Sequence, residues 1–229
     1  MRGMNRLSRV VKGITDRSRR SLERLETERR AGGLVPLENE NFRYRQMLMP
    51  SYQDYVSRVS WADHAVSLRT AAVLLQLCET RAPRRLLDTG SGYSSYVLRR
   101  YAKDAGAEVV SVDDDAEWMA KTEGFLADYG LAESGRLTLW EDFKREQPEP
   151  FDLIFHDMGT GGMRVETLSQ VSDLASPTGC IVYDDVQQTG IRSEAKRVTA
   201  ERHRRLISLV DVTNDEINRY AALSLPAPA

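Results

Sequence analysis

The chain has 229 residues, 41% hydrophobic and 29% charged, with a net charge of −2. That length fits one domain with a sizeable core. Near-neutral charge excludes a whole-chain attraction to nucleic acid or membrane, and no apolar stretch approaches the roughly 18 residues of a membrane span. Cys78 and Cys180 lack CxxC spacing, and the N-terminus has charges without an apolar run behind them. Both features point to a cytoplasmic protein with reduced thiols.

Residues 1–30 hold ten Lys/Arg against four Asp/Glu, a local charge of +6 that leaves −8 for the remainder. Such an arm either binds phosphates or is a solvated helix face. Leu7, Val10, Val11, Ile14, Leu22 and Leu25 recur at helical spacing within Arg6–Arg30, and Pro36 and Pro50 bracket a stretch expected to be irregular. Residues 1–60 are therefore expected to form a helical extension, lid or dimerisation segment, which makes a homodimer reasonable. Residues 61–229 form the main domain. An apolar stripe through Val66, Val73, Leu74 and Leu77 predicts a helix over Asp63–Glu79 with Asp63 as N-cap, ended by Pro83.

Beyond Pro83 short apolar strands alternate with helices. Strands are expected at 85–88, 108–113, 136–140, 151–157 and 180–184, with helices at 94–105, 117–129, 165–174 and 193–202. Leu206–Val212 and Tyr220–Leu225 are close enough in sequence to pair antiparallel at an edge. The pattern predicts an α/β fold, Rossmann-like and doubly wound, around a mostly parallel sheet.

Open parallel sheets bind ligands at the carboxyl ends of their strands. The first strand ends in Asp88-Thr89-Gly90-Ser91-Gly92-Tyr93-Ser94, a glycine turn that opens a helix whose free N–H groups favour an anion. A Gly-x-Gly alone also serves as a plain connection. Here Asp113 stands 25 residues beyond Asp88, at the end of the second strand, where a carboxylate can accept both ribose hydroxyls. Asp88 disfavours a dinucleotide pyrophosphate, and Ser95 replaces the third glycine of the dinucleotide fingerprint.

On these motifs residues 83–225 resemble a class I S-adenosylmethionine methyltransferase, and Gly92-Tyr93-Ser94 resembles the catechol and caffeoyl-CoA O-methyltransferase branch. The resemblance implies a seven-stranded sheet and S-adenosylmethionine as cofactor. It further implies that Asp88 lies near the methionine part and Ser94 meets its carboxylate, that Gly90, Ser91 and Gly92 of the turn bind the cofactor, and that Asp113 lies by the ribose and Asp142 by the adenine.

The fourth strand ends in His156-Asp157 and the fifth in Asp184-Asp185. Three carboxylates opening on one crevice repel one another unless a cation lies among them, and oxygen ligands suit Mg²⁺. Asp157, Asp184 and Asp185 resemble the ligand set of metal-dependent small-molecule O-methyltransferases, including macrolide-sugar enzymes. That implies a Mg²⁺ site, with Asp157 also contacting cofactor and accepting the proton of a hydroxylated acceptor. The alternative is that Asp184-Asp185 caps a helix and Asp157 meets cofactor only. Thr160 stands where the catechol enzymes carry a lysine, so the base stays open. His156 should point away from Asp157 as a core histidine.

Two rival functions stand beside this one. A metal-independent methyltransferase could grip RNA or protein through the basic arm, with no familiar RNA-binding motif to support it. A non-catalytic protein could keep only the cofactor pocket. Trp61 is expected to pack, and His64 lies in the segment that lines the acceptor pocket of the resembling enzymes. Tyr52 and Tyr55, with Met47 and Met49, are expected to form a lid or dimer surface.

Overall fold

The computed structural model describes residues 38–227; the basic segment before them lies outside the described residues. Helices α1 (Glu38–Arg58) and α2 (Leu68–Arg81) lead into β1 (Arg85–Thr89), α3 (Tyr93–Ala105), β2 (Glu108–Asp113) and α4 (Ala116–Asp128). There follow β3 (Arg136–Leu139), α5 (Trp140–Phe143), β4 (Phe151–His156), α6 (Gly161–Asp173) and β5 (Ala175–Tyr183). The chain closes with α7 (Thr189–Glu201), β6 (Arg204–Ser208), α8 (Val210–Thr213) and β7 (Ala222–Pro226).

Seven strands form one sheet in the order β3-β2-β1-β4-β5-β7-β6. The first five are parallel, and β7 runs antiparallel to both β5 and β6. This is the Rossmann-like architecture expected from the alternation of strands and helices. Successive residues on each strand point to opposite faces. Leu86, Val109, Leu153 and Phe155 accordingly pack in one apolar cluster with α1, α2 and α3, whereas Leu87, Val110, Ile154 and Ile181 pack in another with α6 and α7.

Register places the ligand crevice. Thr89 pairs with both Val112 and His156, and His156 pairs with Tyr183, so β1, β2, β4 and β5 all end at one edge. Strand order reverses between β1 and β4, the point at which open α/β sheets bind ligands.

Three local expectations are corrected. Pro50 lies inside α1 rather than in an irregular stretch. Leu48, Ser51 and Tyr55, at helical spacing around it, are buried, and the Leu48 carbonyl accepts from the Tyr93 and Ser51 hydroxyls at 2.9 and 3.0 Å. Tertiary contacts here outweigh the local cost of proline. The cap of α2 is Ser67, whose side chain accepts from the Thr70 N–H, and not Asp63. The penultimate strand ends at Ser208 because residues 210–213 turn into α8.

Arg219 locks the segment before α2. It pairs with Asp215, whose side chain is 5% exposed, at 2.7 Å and donates to the carbonyls of Ala62, Asp63 and Ala65 at 3.0, 2.7 and 3.0 Å. Replacing Arg219 by Met leaves Asp215 without its partner and three carbonyls unpaired. Urea denaturation should show a loss of about 3 kcal/mol, with faster amide exchange in residues 61–66; an unchanged midpoint would contradict the clamp.

Candidate active site

The turn after β1 fits only glycine at its first position. Gly90 has φ +102°, and a Cβ there would lie 2.4 Å from the Asp157 carbonyl oxygen. The Gly90 N–H donates to Val112 O at 2.8 Å and the Asp157 N–H to Thr89 O at 2.7 Å, so the ends of β1, β2 and β4 are tied together. Asp113 is buried at the same point. Its Oδ2 accepts from the Ser91 N–H at 2.6 Å and its Oδ1 from the Asp115 N–H at 3.1 Å. Each oxygen keeps a lone pair for a further donor. Trp118, from α4, donates its indole N–H to Ser91 O at 2.6 Å.

These groups surround a cavity of about 290 Å³ whose wall includes Gly90, Ser91, Gly92, Ser94, Asp113 and Asp157. The Ser91 hydroxyl is buried there without a protein partner. A second cavity, of about 300 Å³, adjoins the first and shares with it His64, Ala65, Asp157, Gly159, Thr160 and Arg164. Its remaining wall contains Asp184, Asp185 and Arg219.

Two expected cofactor residues are elsewhere. Asp142 sits on the exposed side of α5, paired with Arg145 at 3.1 Å, and is not on the wall of the cavity. The short helix turns Trp140 and Phe143 into the core and Asp142 to solvent. Asp88 is wholly buried beneath the turn and off the cavity wall. Its Oδ2 accepts from the Ser95 hydroxyl at 2.5 Å, and Ser95 in turn accepts from the Gly92 N–H at 3.2 Å. Asp88 therefore braces the turn from below.

The three carboxylates Asp157, Asp184 and Asp185 do meet at one crevice, but Arg164 lies among them. Its Nη1 is 2.7 Å from Asp157 Oδ1 and donates to Asp185 Oδ2 at 2.6 Å, while Nη2 donates to Gly159 O at 3.3 Å. The contact with Asp157 is off the hydrogen-bond direction, so it is an electrostatic pairing. Among the described residues no group of three His, Cys, Asp or Glu is arranged to hold a metal ion. The expected Mg²⁺ ligand set does not fit as it stands.

Residues 87–186 match the model of a family described as a methyltransferase domain. Over that segment the chain carries a methyltransferase domain, and its fold is that of solved S-adenosylmethionine-binding methyltransferases. Solved structures share its fold. The O-methyltransferase TomG from Streptomyces achromogenes, involved in tomaymycin synthesis and solved with S-adenosylmethionine, is 18% identical at TM-score 0.58, over 86% of this chain and 94% of that one. An O-methyltransferase from Bacillus cereus, in complex with S-adenosylhomocysteine, is 18% identical at TM-score 0.59, over 85% and 93%. A methyltransferase from Podospora anserina with the same ligand is 18% identical at TM-score 0.57, over 79% and 88%.

In this methyltransferase His156 is a core residue, as its strand parity required. Burial lowers its pKa to about 4, so the ring is neutral. Nε2 faces the Arg164 carbonyl at 3.1 Å and must donate, which leaves Nδ1 to accept from the Thr89 hydroxyl at 2.7 Å. Trp61 is 56% exposed and leans on His64 instead of packing in the core. Sequence reasoning did not place Tyr55, Trp118 or Arg164 on the crevice wall. Only the excess of carboxylate at the strand ends signalled that a cation was needed.

Burial raises the Asp88 carboxyl from 3.8 to about 6, against the opposing hydrogen bond from Ser95. The folded chain thus holds a proton that the unfolded chain releases. This contribution to stability is complete below about pH 4 and is lost as the pH rises through about 6. Relative to Asp88→Asn, the wild type should lose about 2 kcal/mol between pH 4 and pH 7, measured by urea denaturation at each pH. Parallel profiles would contradict the buried, protonated acid.

Proposed function

We propose that this methyltransferase transfers a methyl group to a hydroxyl of a small metabolite in the cytoplasm. The observation that carries the reading is that the crevice at the glycine turn adjoins a polar chamber of about 300 Å³, with six lining residues in common. A chamber of that size suits a small acceptor better than a macromolecule. The similarity of fold to TomG and to the Bacillus cereus O-methyltransferase supports the same acceptor class. Cys78 and Cys180 are both buried free thiols, in keeping with a reducing compartment. No helix among the described residues is long and apolar enough to cross a membrane.

The residues at the first cavity fit S-adenosylmethionine. Asp113 has lone pairs to accept two ribose hydroxyls, the Ser91 hydroxyl lacks a partner, and the start of α3 favours the methionine carboxylate. Gly90 lets a ligand lie against the backbone, and Trp118 supplies an aromatic wall. When bound, the cofactor supplies an electrophilic methyl group on a sulfonium.

The acceptor hydroxyl must lose a proton as it attacks. Asp157 lines both cavities, so its carboxylate lies where the two ligands meet, and we assign it the proton-accepting role. Burial, together with Asp184 and Asp185, raises its pKa against the effect of Arg164, which favours taking up a proton. His64, Thr160 and Arg219 line the same chamber and orient the acceptor there.

Asp113→Ala should weaken S-adenosylmethionine binding about tenfold or more, the equivalent of losing hydrogen bonds to a charged group. Calorimetry measures this. Equal affinity in the variant, or NAD binding in place of S-adenosylmethionine, would overturn the reading.

A further inference from the structure

The carboxylates at the ends of β4 and β5 demand a positive charge, and a protein side chain supplies it. Arg164 is in the first turn of α6, behind the Thr160 cap, which fixes its backbone. Its carbonyl is held by His156, so both ends of the residue are anchored. The guanidinium reaches Asp157 on one strand end and Asp185 on the next at 2.7 and 2.6 Å, and its side chain is only 14% exposed.

A divalent ion of the magnesium type needs oxygen ligands at about 2.0–2.1 Å in an octahedral shell. An ion bridging Asp157 and Asp185 would need the space that Nη1 fills, and would face a fixed positive charge. Asp185 is further committed. Its Oδ1 accepts from Gln187 at 2.8 Å, and its Oδ2 receives Gln188 at 3.4 Å besides Arg164. Arg219, the other cation on the wall, already spends its donors on Asp215 and three carbonyls.

We infer that Arg164 is a resident counter-cation in the place where the resembling enzymes hold a metal, so that this site works without a divalent ion. Arginine stays charged at any physiological pH and its fork suits oxygen partners. Arg164 lines both cavities, so the same guanidinium can also meet the acceptor oxygen. That second role rests on the functional reading above; the replacement of the metal does not.

The test is a Mn²⁺ titration of the full chain with S-adenosylhomocysteine, followed by electron paramagnetic resonance, beside turnover with and without EDTA. The wild type should show no saturable Mn²⁺ site and no loss of turnover with chelator. Arg164→Ala should acquire one site per chain, abolished by adding Asp185→Asn, and Arg164→Lys should acquire none. A saturable Mn²⁺ site in the wild type would by itself overturn the inference, as would chelator-sensitive turnover or a folded Arg164→Ala that takes up no Mn²⁺. Wild-type Mn²⁺ binding is decisive even where the alanine variant fails to fold. Because it involves no transfer, failure of the acceptor reading would show separately, as absent turnover with Mn²⁺ uptake unchanged.

Discussion

The site depends on one close approach: the backbone of Gly90 against the carbonyl of Asp157. No side chain fits between them, since a Cβ at residue 90 would lie 2.4 Å from that oxygen. The contact joins the turn after β1 to the end of β4, the two strands between which the sheet order reverses. The groups around the crevice hang from this joint. Asp113 reaches it through the Ser91 N–H, Trp118 through the Ser91 carbonyl, and Asp157 is itself one half of it. The crevice and the chamber beside it are two sides of the same backbone contact.

Electrostatics then sort the carboxylates by depth. Asp88 is fully buried and braces the turn through Ser95, with its pKa pushed up to about 6. Asp113, at the mouth of β2, keeps acceptor capacity for a ligand. Asp157 and Asp185 sit further along the edge and are held by Arg164, itself held through its carbonyl by a neutral His156. That histidine also meets Thr89 at the end of β1, so the core of the sheet, the turn and the charged edge form one hydrogen-bonded chain.

Much of this was legible from residue order. Alternating short apolar runs and amphipathic segments specify a parallel sheet because both its faces must be covered, and the glycine turn followed by Asp113 marks the first crossover. The misses have physical causes. Pro50 looked like a break, but Leu48, Ser51 and Tyr55 make enough contact with α3 to hold the helix through it. Asp142 occupies the expected place in sequence, yet a four-residue helix turns it outward. Arg164 was hidden because the helix was expected to begin only at residue 165. In fact Thr160 caps a helix that begins at Gly161, and residue 164 is thereby aimed back at Asp157. Capping geometry and the direction of a single long side chain are set by tertiary contacts, and no periodicity reports them.

We propose that the crevice at Gly90 and Asp113 holds the methyl donor, with Arg164 in place beside it. A crystal structure of the full chain with S-adenosylhomocysteine tests it most directly. The ribose hydroxyls should lie on Asp113, the ligand against Gly90, and the guanidinium still between Asp157 and Asp185. A ligand bound elsewhere, or an arginine swung out to admit an ion among the three carboxylates, would contradict it.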